Sequence, residues 1–378
     1  MTQAYTPGLI STQRAPFRVR RLLPLAGEVL VQRGDLVSAR QVVARTLLPG
    51  PVIPVNAAQV LSVGASELPG CMRKQSGEYI AAGELLAESQ GAFGWFRTAC
   101  ASPAAGTVET ISHVTGQVLL RGPAQAVELP AWLAGSVVEV LSEQGVVVEA
   151  EVTRVQGIFG VGGEAWGPLQ MACNDPNEDL TEAQLTDELR GAIVAGGRRV
   201  TARALTRAVA VGISGIVTGG IDDQDLRDFL GYDIGVATTG SERVGLTLII
   251  TEGFGEIPMA RQTFDRLASR AGSDAAINGA TQIRAGVVRP EIVIPWPDRS
   301  SQPGGIHSAA GEFTGLLVEG AGVRIIRDPW FGIIGRVVNL PREPRVLESG
   351  SKARVVEVEF PTGERVVVPR ANVELFEH

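Results

Sequence analysis

Apolar residues recur with two different spacings along the chain. In the front third they come in short β-branched runs broken by glycine, a pattern that predicts strands and tight turns. The run GDLVSARQVVAR from Gly34 is echoed by GEYIAAGELLAE from Gly77. A glycine and an acid open both runs, and Val37/Ile80, Val42/Leu85, Val43/Leu86 and Ala44/Ala87 fall at matching places. A second echo pairs GTVETISHVTGQVLL from Gly106 with GSVVEVLSEQGVVVE from Gly135. Internal repetition of this kind predicts one β unit used more than once.

Near Leu180 the period lengthens. Thr181 and Gln184 have the spacing of a capping box, with Leu180 and Leu185 placed as its hydrophobic staple. Ala192–Ala195 reads as a short strand ending in Gly196-Gly197. Thr201 is placed to cap a helix with Leu205, Ala208, Val209 and Gly212 on one face. Gly215–Val217 then reads as a strand ending in Thr218-Gly219-Gly220, and Asp222 as the cap of a further helix. Leu246–Ile250 reads as a buried strand followed by the loop Thr251-Glu252-Gly253-Phe254-Gly255-Glu256 and a helix around Phe264 and Leu267. Ala275–Ile277 and Glu291–Ile294 complete the set, with Asn278-Gly279-Ala280-Thr281 after the first. Alternation of strands and helices implies a parallel sheet.

In parallel sheets ligands bind beyond the carboxyl ends of the strands. The candidate ligand residues are therefore Gly196, Gly197, Thr218, Gly219, Gly220, Thr251, Glu252, Gly253, Gly255, Asn278, Gly279, Thr281 and Arg284. Glycine permits close backbone approach, helix N-termini present free N–H groups to anions, and Arg198, Arg199, Arg284 and Arg289 add positive charge. An anionic small ligand, carrying phosphate or carboxylate, suits that chemistry. The same glycines also serve as ordinary turn residues. Asp222, Asp223, Glu242, Glu252 and Glu256 are carboxylates near these loops, but nothing in the sequence pairs them for acid–base work. Gly157–Glu164 is glycine-rich without a helix behind it and reads equally as a hinge.

After the linker-like stretch from Pro295 to Gly305, short apolar runs at Phe313–Val318, Val323–Arg327, Arg336–Leu340, Ala353–Phe360 and Arg365–Pro369 predict a small barrel. Its candidate partner or nucleic-acid contacts are Arg324, Arg327, Trp330, Phe331 and Arg336.

Two resemblances follow from these motifs. The repeat, together with SPAAGTV at Ser102–Val108, resembles the barrel-sandwich hybrid of biotinyl and lipoyl domains and the related front domain of the Rnf-type electron-transport subunit. Carriers of that type present a lysine at a hairpin tip. The repeat region holds only Lys74, which precedes Gly77-Glu78, so a swinging-arm carrier is rejected. Gly322–Val337 resembles the KOW motif of transcription-elongation factors and ribosomal proteins, which implies an SH3-like barrel and contact with RNA, its machinery or a protein partner. Over 320–378 nine basic residues face eight acidic ones, and a nearly neutral tail supplies little of the phosphate neutralisation that drives nucleic-acid affinity.

The expected fold class is thus multidomain α/β. It comprises a β-rich barrel-sandwich-like front (1–175), a central Rossmann-like parallel α/β domain (176–296), and a linker with a C-terminal KOW-type, SH3-like β-barrel (297–378).

Composition narrows the function. The 378 residues carry a net charge of -7, which argues against a whole-chain nucleic-acid footprint. No window reaches the roughly 18 apolar residues of a membrane span, and Met1–Arg21 has no apolar run of signal-peptide type. The expected location is cytoplasmic. Three histidines and three dispersed cysteines, Cys71, Cys100 and Cys173, allow no metal spacing and no complete disulfide framework. The expectation is a non-catalytic adaptor or assembly protein with protein partners, compatible with an anionic ligand in the centre. An enzyme or sensor for such a ligand, and a KOW-led transcription or translation factor, are the alternatives. The sequence names no cofactor.

Overall fold

The computed structural model describes residues 9–89, 97–232, 239–282, 288–297, 317–325, 329–330, 333–341, 343–346 and 352–375. Strand accounts for 45% of it and helix for 15%, so β-structure sets the architecture.

The front repeat is visible atom by atom. Gly34 and Gly77 both adopt positive φ, 96° and 90°, which is why glycine opens each copy. The acid that follows closes the turn: the Asp35 carboxylate accepts from Gln32 N at 2.8 Å, and that of Glu78 from Gln75 N at 2.6 Å. Val37 and Ile80, Val43 and Leu86, and Ala44 and Ala87 are buried in both copies. The second echo completes the first. Gly135 pairs with Val37 and Ser136 with Leu36, just as Gly106 pairs with Ile80 and Thr107 with Tyr79. Val137 N donates to Asp35 O and Val108 N to Glu78 O, each at 2.9 Å. The chain thus builds the same β unit twice, the inner copy inserted between the halves of the outer one.

The inner copy has its own core, with Leu68, Ile80, Leu86, Val108, Val118 and Leu120. The core of the outer copy gathers Val37, Val43, Trp132, Leu133, Val137, Val146 and Val148, and is completed by Ala276 and Val293 from much later in the chain.

That completion reflects a single 11-stranded mixed sheet. The Gly145–Gln156 strand pairs along one edge with Ser11–Leu22. Its other edge is shared by Gly135–Leu141 and Glu291–Pro295. Gly157 follows, packed so closely that a Cβ there would collide with Ile249 and the carbonyl of Ile250. Phe159–Val161 continues antiparallel to Thr247–Phe254. The expectation of a parallel central sheet is corrected here. Among the described strands, parallel pairing joins Leu169–Met171, Ile193–Ala195, Gly215–Ile221 and Thr247–Phe254. Asp274–Asn278 and Glu291–Pro295 run antiparallel to their neighbours.

Helices pack beside the parallel strands. Thr201 Oγ1 accepts from Ala204 N at 3.2 Å and caps Ala202–Val211. Its buried stripe is Ala204, Leu205, Ala208 and Val211, whereas Val209, expected inward, is exposed. The Thr181–Gln184 capping box forms, with Leu180 and Leu185 buried, but it caps only a 3-10 turn, Glu182–Gln184. Asp223–Leu230 and Arg261–Ala268 are the other two helices of this part. Among the described residues no helix is long and apolar enough to cross a membrane.

In the tail, Gly322–Ile325, Ile334–Asn339, Val355–Glu359 and Arg365–Pro369 form an antiparallel sheet around Val323, Ile325, Val337, Val356 and Val358. Val373–Leu375, not foreseen from sequence, pairs with Gly322–Ile325 as a fifth strand. Most of the expected Phe313–Val318 strand lies outside the described residues.

Candidate functional site

The mixed sheet splits the predicted ligand residues between two edges. Gly196 and Gly197 follow the carboxyl end of Ile193–Ala195. Thr218, Gly219 and Gly220 lie inside Gly215–Ile221, and Thr251, Glu252 and Gly253 inside Thr247–Phe254, with Gly255 just beyond. These residues share the carboxyl edge of the parallel strands. Asn278, Gly279 and Thr281 do not. Their strand runs the other way, with Asn278 beside Glu164 at the opposite edge. There Asn278 Oδ1 accepts from Ala280 N at 2.9 Å, and Thr281 Oγ1 accepts from Gly160 N at 2.9 Å. Arg284, Arg327 and Phe331 lie outside the described residues.

At the carboxyl edge the close approach that glycine permits is made by the chain itself. A Cβ on Gly197 would collide with the carbonyls of Asp175 and Glu178, one on Gly219 with Ile257 O and Met259 N, and one on Gly220 with Gly255 O. The 175–179 and 255–259 segments therefore lie directly against the strand ends. Thr218 and Thr251 are buried, and Thr251 Oγ1 donates to Thr218 O at 3.2 Å.

Charge at this edge is also internally matched. Asp179 takes a bidentate fork from Arg198, Nε–Oδ1 2.7 Å and Nη2–Oδ2 3.0 Å. Arg199 reaches Asp179 at 3.2 Å, Asp222 at 2.7 Å and Glu256 at 2.6 Å, and Arg198 reaches Glu256 at 3.2 Å. Hydrogen bonding from Arg198 first, and from Arg199 next, holds the Asp179 carboxyl below its usual range. Asp222 thus spends its carboxylate on Arg199, and no side-chain cap bond forms at the helix it precedes. Sequence reasoning passed over Asp179; its only signal was an acid-rich stretch, Asp175–Asp179, ahead of the capping box.

Glu252 has a different partner. Its side chain is 1% exposed, that of Arg324 is 7% exposed, and their charged atoms lie 3.1 Å apart. Glu252 Oε1 also accepts from Ala260 N at 3.0 Å, at the start of Arg261–Ala268. A predicted ligand residue and a predicted partner contact are thereby brought together across 72 positions of sequence. Of the other tail candidates, Trp330 packs half-buried on the core of the tail sheet, and Arg336 is exposed beside a groove of about 470 Å³.

Other reactive groups are held quiet. Burial, then the charge of Glu178, pushes the Cys173 thiol up to about 11, far from a thiolate nucleophile at neutral pH. Lys74 is ion-paired with Glu84 at 2.7 Å. Among the described residues no group of three His, Cys, Asp or Glu side chains is placed to hold a metal.

A second concavity opens where Gly135–Leu141 and Glu291–Pro295 separate along their shared edge of Gly145–Gln156. It encloses about 750 Å³ and is lined by Pro16, Leu36, Ala150 and Trp296, with Arg14, Glu149, Glu151 and Asp274 among its polar walls. Leu36 is 72% exposed. Arg14 and Arg270 both lie over the Trp296 ring, their guanidinium carbons 5.2 and 4.0 Å from its centroid.

Comparison of the chain with protein-family models, with curated proteins and with solved structures finds no match in any of the three.

Proposed function

We propose that the protein is a non-catalytic adaptor or assembly protein of a cytoplasmic complex, with the Leu36–Trp296 groove as its partner face. The observation that carries this reading is the contrast between the two concave regions. At the strand ends, where an α/β enzyme would open its site, the chain's own backbone lies against the glycines. There three carboxylates face two arginines, so the cluster bears one negative charge and disfavours an anion. The groove instead combines an exposed leucine, a fixed tryptophan and an arginine, the residue types that anchor protein interfaces. The likeness of the tail to KOW modules supports a macromolecular partner over a substrate.

Native mass spectrometry of the untagged protein, purified gently from its own cell, tests this. The expected result is a polypeptide at fixed stoichiometry, lost in a folded Leu36→Arg variant. A small molecule released on denaturation would overturn it in favour of an enzyme or sensor. Bound RNA would transfer the function to the tail.

A further inference from the structure

The Arg324–Glu252 pair does more than join two segments. Val323 and Ile325 are buried in the barrel core. Because side chains alternate along a strand, Arg324 between them points out of the barrel. An outward arginine on a small barrel is ordinarily solvated, yet Arg324 is 6% exposed. Its cover is the carboxyl edge of the parallel strands, where Glu252 waits with one N–H from Ala260 already bound.

The two cores remain separate. The tail core draws only on residues from Leu317 onward, and the central core ends at Ile294. The contact described between them is the buried charged pair Arg324–Glu252. Two cores that share no residue can part without either being unfolded. A buried pair is also all-or-none, since removing one partner leaves an uncompensated charge out of water.

We infer that the C-terminal barrel is a latch: Arg324 docks on Glu252, holds the barrel over the strand ends, and becomes available to a partner only when this pair opens. Docking and outside contact through Arg324 are then mutually exclusive, and Glu252 is shielded in the latched state. The N-terminal end of Arg261–Ala268 helps to hold the Glu252 carboxylate in place, as helix N-termini favour negative charge.

Small-angle scattering of the full chain gives the test. Glu252→Gln and Arg324→Gln each raise the radius of gyration and the maximum dimension while circular dichroism stays native. The charge-exchanged double variant, Glu252→Arg with Arg324→Glu, moves both values back towards those of the parent. Folded variants with unchanged scattering would overturn the latch. Should the variants fail to fold, the unmodified chain decides. The Arg324 Nε–H, followed by ¹⁵N NMR, should exchange at least about tenfold more slowly than that of exposed Arg336. Equal exchange rates would sink the proposal.

Discussion

Asp179 accepts from both guanidiniums at the strand ends, so its loss leaves Arg198 to Glu256 and Arg199 to Asp222 and Glu256. Its carboxyl is held below the usual range, chiefly by the fork from Arg198. A depressed folded value means stability that is present above the unfolded value, about pH 4, and lost as pH falls through the folded one. Asp179→Asn should therefore cost up to about 1.5–3 kcal/mol at neutral pH, the range for hydrogen bonds to charged groups. It should also flatten the acid limb of the stability profile below about pH 4. Urea melts from pH 7 to pH 3 measure both effects. A variant that loses stability at every pH, with the acid limb unchanged, would show that Asp179 matters only for packing. Cys173 gives a second test at this scale. With its thiol at about 11 and the residue 2% exposed, it should resist a thiol reagent at pH 8 in the native chain, while half-buried Cys71 reacts first.

At the scale of elements, the duplicated β unit sets a matched experiment. Nothing lies within 4 Å of a Cβ built on Gly34 or on Gly77, so the cost of alanine at either is backbone strain alone. For an L-residue at positive φ that strain is about 1–2 kcal/mol, and Gly34→Ala and Gly77→Ala should lose stability by similar amounts in denaturant titrations. A large loss at one and none at the other would show that the copies are not energetically equivalent. Gly50→Ala should cost more than either, since its Cβ would strike the backbone of Gly122. Gly34 and Gly77 were legible in the sequence because the turn chemistry is local: a left-handed residue followed by an acid that caps it. The Thr201 cap and the Leu180–Leu185 pair were legible for the same reason. Strand direction was not. Asp274–Asn278 carries the same apolar run whichever way its neighbours point, so Asn278 and Thr281 were grouped with loops at the far edge. The Asp179 cluster and the Arg324–Glu252 pair, the latter 72 positions apart, join distant parts of the sequence, and no periodicity records such separations.

For the whole molecule the deciding feature is the strand Gly145–Gln156. It carries Ser11–Leu22 on one edge and Glu291–Pro295 on part of the other, so the front and the α/β part share one ladder. The core around Trp132 also crosses that junction: it needs Ala276 and Val293, and the indole N–H donates to Ile277 O at 3.3 Å. A fragment of residues 1–175 would leave that donor unpaired and expose Val148 and Val152, each 0% exposed in the whole chain. Loss of the apolar contacts with Ala276 and Val293 destabilises the outer unit. The inner β unit is placed differently, because its core is drawn entirely from residues 53–120. Thermal melts of the 1–175 fragment should therefore lack the near-ultraviolet signal of an ordered Trp132 while keeping far-ultraviolet strand signal from the inner unit. A fragment that melts cooperatively with the full tryptophan signal would mean that the outer unit closes its core unaided. The shared strand would then be a seam between two finished folds, and the groove at its fork would be free to change shape as they move.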